Sequence, residues 1–427
     1  MSGDGAPARF AWLPPGLRPP VAMTWRQERV FLLVGAAALF AGYDLNIYGL
    51  AIPQIQASLH IPEDQVGLTV SYFRLAALVA LLLCASADLI GRRRLLLVTV
   101  LGQALATLAT AFADNYAQFV WAQFCTRVFG YAEEMLCFVV IAEEVAAAAR
   151  GWGSGALSGM YYTGAGLASL IFAAVNLLPY GWRALYVIGA IPLFLVAYLR
   201  RRLPETERFV AREDLDKTRS RFAVAIALLR DLARQYPGRL AAILIAVGAF
   251  GFGASSASVL SAKYLQTAHG FTPGQITLLF IPGGLIGLAL TILTGRLSDR
   301  LGRKPVTLAV VAFAGAAFAL FYSGVGGPAL ALLWILSFFG FFAGDALLAG
   351  FALEIVPTQY RATVSGLRYL VEILMGAVAL ALEGLLYNHF QDHGPAIQLL
   401  LAALPLTLVA IFFLPEPAGR KLEEMTA

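Results

Sequence analysis

The chain has 427 residues, 59% of them apolar and only 13% charged, and its mean hydropathy is +0.74. That is more apolar surface than one water-soluble core can hide, so a soluble domain is excluded and a membrane protein is expected. The formal net charge of +5 does not argue for nucleic acid, because the basic residues follow the connections between apolar runs.

Taken in order, residues 1–29 form a Pro-rich tail, "PARFAWLPPGLRPP", expected to be irregular, and the first 25 residues carry no stretch resembling a signal peptide. Apolar runs long enough to cross a hydrocarbon layer of ~30 Å follow at about 30–52, 66–87, 94–113, 117–140, 151–175 and 183–201. A polar stretch over 202–238, with Arg208, Arg212, Glu213, Asp214, Asp216, Lys217, Arg219 and Arg221, reads as a solvated linker. Six more runs lie at about 239–262, 275–295, 305–324, 329–352, 363–386 and 395–414, before a tail over 415–427. The runs are continuous and rich in Leu and Ala, whereas barrel strands alternate over ~10 residues, so helices are predicted. The fold class is therefore an all-α membrane protein, twelve transmembrane helices in two six-helix bundles at 30–201 and 239–414.

Basic residues occupy every second connection: Arg26 and Arg29, Arg92 to Arg94, Arg150, Arg200 to Arg239, Arg296 to Lys304, Arg361, Arg420 and Lys421. The positive-inside bias then puts both termini and the linker in the cytoplasm of a multi-pass plasma (bacterial inner) membrane protein. Cys84, Cys125 and Cys137 fall inside spans and imply packing, not a disulfide framework.

Two stretches, "SADLIGRRRL" (Ser86 to Leu95) and "LSDRLGRKPV" (Leu297 to Val306), repeat at an offset of 211 residues. The same offset relates Asp88 to Asp299, Gly91 to Gly302, Arg92 to Arg303, Glu143 to Glu354, Arg150 to Arg361, and the "LPE" at Leu203 to the "LPE" at Leu414. Repeats running in the same sense imply two bundles related by an axis along the membrane normal, with a substrate path between them. At the cytoplasmic end of a span, Asp followed by a turn-forming Gly and cations suits a latch, a carboxylate paired with an Arg of a neighbouring helix. Arg150 and Arg361 are placed to join it. Plain topology anchors would explain the arginines but not Asp and Gly at fixed spacing.

"GRLSDRLGRK" resembles the loop signature G-x-L-a-D-R-x-G-R-[KR] of the major facilitator superfamily, through Gly295, Asp299, Arg300, Gly302, Arg303 and Lys304. The first half departs from it at Cys84 and Leu89. "LPETERF", "LPEPAGRKLEE" and "PTQYRA" resemble further signatures of sugar-porter-like and organic-acid-porter-like members. The resemblance implies secondary transport by alternating access, with spans one, four, seven and ten lining the cavity.

Ionisable groups inside spans cost about 2.5 to 3.5 kcal/mol each to insert and are functional candidates. Asp44, Arg74 and Arg127 lie about eight to ten residues from the outer ends of spans one, two and four, depths of roughly 12 to 15 Å. An Asp of span one paired with an Arg of span four resembles the proton-coupling pair of symporters in the superfamily, and Asp44 with Arg127 fits; the alternative is a static ion pair. Arg74 either orients Asp44 or seals the outer vestibule. Glu134 shares the face of Arg127, and its repeat partner is Asp345. The two acids either face each other across the cavity, where repulsion favours holding a proton, or serve polar contacts within their own bundles. Glu133 is turned about 120° away and Glu372 ranks lower. Tyr48, Tyr131 and Phe338 are candidates to wall a pocket for a flat or carbon-rich solute. Gly151, Gly155, Ser158, Gly159 and Gly166 in span five read as close helix contacts.

"AGYDLNIYGLAIPQI" resembles the first span of aromatic-acid symporters, and the seventh span lacks the Gln residues expected for sugars. The buried arginines favour a carboxylate moving with protons; a sugar or other neutral-solute porter, an efflux carrier, and a transporter-like sensor are the alternatives. No metal-ligand spacing, phosphate loop or nucleophile motif appears, so no enzyme activity, metal or cofactor is expected. The expected partners are a small-molecule substrate, protons and the lipid bilayer, not nucleic acid, with the protein a monomer.

Overall fold

The computed structural model describes residues 7–8, 18–21, 23–86, 91–145, 149–201 and 221–417. Asp88, Leu89, the Leu203 motif, most of the linker and most of both tails lie outside the described residues, as does the side chain of Arg150.

A two-residue ladder pairs β1 (Pro7–Ala8) antiparallel with β2 (Met23–Thr24). The first six spans are α1 (Trp25–Leu59), α2 (Glu63–Ala85), α3 (Arg92–Ala111), α4 (Tyr116–Glu144), α5 (Arg150–Phe172) and α6 (Trp182–Arg200). A linker helix α7 (Arg221–Gln235) precedes α8 (Pro237–His269), α9 (Pro273–Leu301), α10 (Arg303–Phe321), α11 (Pro328–Glu354) and α12 (Arg361–Phe390). The last span is built from α13 (His393–Leu401) and α14 (Leu404–Phe413). Among the described residues ten of these segments are long and apolar enough to cross a membrane. The helices α4 and α5 complete the twelve.

The helices outrun the apolar runs, and their caps explain where they start. The first begins inside the tail expected to be irregular to residue 29. Thr24 Oγ1 accepts from the Gln27 amide at 3.2 Å while Gln27 Oε1 accepts from the Thr24 amide at 3.0 Å, a reciprocal pair that closes two otherwise orphaned donors. Thr272 and Gln275 repeat the device at the start of α9, with Pro273 in the first turn. Large apolar side chains such as Leu82, Leu278, Leu285, Leu288, Ile292 and Phe412 remain exposed along the spans. Such surface is at home in hydrocarbon.

By internal packing the chain forms two compact units, Met1–Ala51 with Ala76–Arg219, and Ile52–Leu75 with Ser220–Ala427. In the first, α3 packs most extensively on α4 and α6, over a core that includes Val34, Leu136, Ile141 and Leu157. In the second, α8 packs on α12, and α10 on α11 around Val306, Val310, Phe339, Ala343 and Leu347. The second unit also takes the end of α1 and most of α2: a Cβ at Gly67 would strike the Leu380 carbonyl, and one at Gly384 the Asp64 carbonyl.

Two expectations about packing are corrected. Among the described residues no atom of another helix lies within 4 Å of where a Cβ would stand at Gly155, Gly159 or Gly166; α5 comes close instead at Gly164, against the Leu39 carbonyl, answered by Gly42 against the Tyr161 carbonyl. Arg200, grouped above with the loop cations, is fully buried. Its Nη1 donates to Glu133 Oε1 at 2.5 Å, and further bonds reach the Leu33 and Leu96 carbonyls. Thr99 donates to the other Glu133 oxygen at 2.5 Å. Glu133 therefore belongs to a sealed structural pair.

Candidate functional site

In the first unit Asp44 stands midway along α1 and is wholly buried. Its Oδ2 accepts from Gln103 Nε2 at 3.2 Å and Thr107 Oγ1 at 3.0 Å, two residues one turn apart on α3. Arg127 Nη1 donates to the Leu45 carbonyl at 2.8 Å, next to Asp44, and lies close enough for its charge to act on the carboxyl group. Gln103 and Thr107 went unmarked in the sequence, because uncharged polar residues cost little in an apolar run until a fold aims them. Glu134 makes no hydrogen bond among the described residues. Tyr48 is 3% exposed and packs on Phe119 with ring centroids 5.8 Å apart. Tyr131 is half-buried on the same helix as Glu134.

The second unit carries a charged cluster whose central residue the sequence analysis missed. Arg368 Nη1 donates to Asp345 Oδ1 on α11 and to Glu372 Oε2 one turn along α12, both at 2.7 Å. The side chains are 12%, 38% and 14% exposed for Arg368, Asp345 and Glu372. Arg74 of α2 donates to Ser255 Oγ on α8 at 2.6 Å, and its guanidinium occupies the space that a Cβ at Gly376 would need. Gly376 lies one turn beyond Glu372, so all four charged groups share one neighbourhood. Phe338 sits on Trp334 at 4.5 Å on α11.

A second polar cluster joins the start of α2 to α8, α12 and α13. Lys263 Nζ meets Glu63 Oε2 at 2.5 Å and Gln56 Oε1 at 2.7 Å. His393 bridges Glu63 at 3.1 Å and the fully buried Glu383 at 2.6 Å.

The motif residues form ion pairs in each unit. Arg303 meets Asp299 at 2.6 Å, and its Nε donates to both oxygens of Glu354 at 3.0 Å. In the first unit Arg92 reaches Glu143 at 3.3 Å. The motif arginine supplies the cation in both pairs; the side chain of Arg150 lies outside the described residues, and that of Arg361, which opens α12, makes no hydrogen bond or ion pair among them. Gly91 and Gly302 take φ of 98° and 103°, which a side chain would strain, so both turns require glycine. Arg300 is exposed, and Gly295 joins Thr291, Arg303, Leu347 and Glu354 around a cavity of about 180 Å³. Glu416 completes the turn: its carboxylate accepts from the Arg303 and Lys304 amides at 2.9 and 2.8 Å, capping α10. Tyr360 donates to Asp231 of α7, a bond that pushes the phenol pKa up. Among the described residues no group of three or more His, Cys, Asp or Glu is poised to hold a metal ion.

The chain is similar to the 3-(3-hydroxy-phenyl)propionate transporter of Escherichia coli, 29% identical over 343 residues, covering 78% of this chain and 76% of that protein. It is likewise similar to the cis,cis-muconate transport protein of Acinetobacter baylyi, 26% identical over 373 residues, covering 85% and 88%. Among solved structures the inward open xylose transporter XylE from E. coli superposes with a TM-score of 0.73 at 17% identity, covering 93% of this chain and 99% of that one, a likeness of fold. The sequence profile of the Major Facilitator Superfamily matches residues 34–380, and the chain belongs to that family of membrane transporters.

Proposed function

We propose that the protein moves a small organic carboxylate across the cytoplasmic membrane together with protons, by alternating access. The observation that carries this reading is Asp44, a carboxyl group buried in the middle of a membrane helix, held by Gln103 and Thr107, with Arg127 anchored on the adjoining carbonyl. A buried ionisable group is costly to insert, and one held by neutral donors can gain or lose a proton without breaking its frame. Relatives named for muconate and hydroxyphenylpropionate transport support the substrate class. Asp44 and Arg127 are assigned to proton coupling, Glu134 and Asp345 to proton handling, Arg74 to substrate positioning, and Tyr48, Tyr131 and Phe338 to the solute's carbon skeleton. The latches of Arg92 with Glu143, and of Arg303 with Asp299 and Glu354, are assigned to the cytoplasmic gate, with both termini on that side and the monomer as the working unit.

The test is purified protein in liposomes under an imposed pH gradient, offered cis,cis-muconate, 3-(3-hydroxyphenyl)propionate, xylose and an organic amine. A carboxylate should accumulate, Asp44→Asn should cut gradient-driven accumulation at least about tenfold while solute exchange persists, and Arg127→Ala should impair both. Unchanged accumulation in both variants would remove the coupling assignment, and accumulation of xylose alone would remove the substrate class.

A further inference from the structure

One guanidinium nitrogen serving two carboxylates is an unbalanced arrangement. Asp345 and Glu372 share the same Nη1 of Arg368, each at 2.7 Å, so one hydrogen-bond donor group serves two competing acids. The charged and titratable groups around Arg368 are Asp345 from α11, Glu372 and Tyr369 from α12, and Arg74 from α2. The cluster is not sealed, because Asp345 is 38% exposed. The packing also makes room for it: the Cβ that Gly251 lacks would stand 2.8 Å from Glu372 Cγ.

We infer that Arg368 is the grip for the substrate's carboxylate, occupied at rest by Asp345 and Glu372 and released to the substrate when a proton neutralises Glu372. This rests on the carboxylate-transport reading above and adds to it the residue that binds the anion. The proton goes to a Glu372 oxygen; that carboxyl group lets go of Nη1; and a carboxylate of the substrate takes the vacated position. The exchange keeps the local charge constant, since one proton enters with one anion, so neither has to be held alone in a poorly solvating interior. Arginine suits the task because its planar fork can hold a resident and an incoming carboxylate in sequence. Glu372 is the proton acceptor over Asp345 because it is the more enclosed of the two and has less water to stabilise its charge. Arg74, one turn away on Ser255, adds a second positive charge to draw the anion in.

The experiment uses the full-length protein in liposomes with radiolabelled 3-(3-hydroxyphenyl)propionate as probe and its primary amide as uncharged control. Wild-type affinity for the acid should weaken as pH rises, by up to about tenfold per unit for one linked proton. Glu372→Gln should abolish that pH dependence and retain exchange, while gradient-driven accumulation falls at least about tenfold. Arg368→Gln should weaken binding of the acid at least about tenfold and leave the amide unaffected, and Arg368→Lys should restore part of the loss. Wild-type affinity for the acid in folded Arg368→Gln, or a wild-type pH profile in Glu372→Gln, overturns the inference while leaving the transport reading intact. If Arg368→Gln is not recovered folded, the Glu372→Gln profile decides. Wild-type protein that takes up no carboxylate strikes the transport reading itself.

Discussion

Each unit holds an arginine against carboxylate inside the membrane, and the two arrangements differ in what surrounds them. Arg200 and Glu133 are both fully buried, with Thr99, Cys137 and the Leu33 and Leu96 carbonyls taking the remaining bonding positions. Arg368 meets two acids through one nitrogen, with one of those acids partly open. A pair that is enclosed and fully bonded has no vacancy for a proton or an anion, and its role is to hold α3, α4 and α6 together. One that is open and shares a single nitrogen between two acids can trade partners. Burial and bonding saturation, more than the presence of an ion pair, separate framework from machinery.

The comparison can be broken most directly at the sealed pair. Arg200→Ala should leave Glu133 buried without its counter-charge and cost about 3–5 kcal/mol, read as a large loss of thermal stability in detergent; a Glu133→Gln, Arg200→Met double variant should recover much of it. If Arg200→Ala were as stable as wild type, the distinction would fail. A smaller effect is expected at the open cluster, where Arg368→Gln should change stability by only about 1 kcal/mol, because water and a proton can satisfy the acids left behind. At the exposed latch, Arg303→Ala should cost about 0.2–1 kcal/mol, and the cost should shrink in high salt. A salt-independent loss there would mean that the latch behaves as a sealed pair.

The twelve spans and the 211-residue repeat were legible because both are written along one dimension, as lengths of apolar sequence and as a constant offset between motifs. Partner choice was not. The sequence placed Arg150 near Glu143 by spacing, but only the helix ends set side by side show that Arg92 meets it. Arg368 was visible as a charge within a predicted span, four residues before Glu372, but only the structure shows that Asp345 of α11 also meets it. The early start of α1 was hidden for a different reason: apolarity marks where a helix crosses hydrocarbon, whereas its first turn is decided by Thr24 and Gln27.

Glu416 has a practical consequence for anyone handling this protein. It stands after the last membrane segment, yet two amides 113 and 112 residues earlier in the chain depend on its side chain. A protease cut or reporter fusion placed just upstream of it would leave every hydrophobic segment intact and still untie the ninth one at its root. Any version of the protein shortened at the C-terminus should therefore keep this carboxylate.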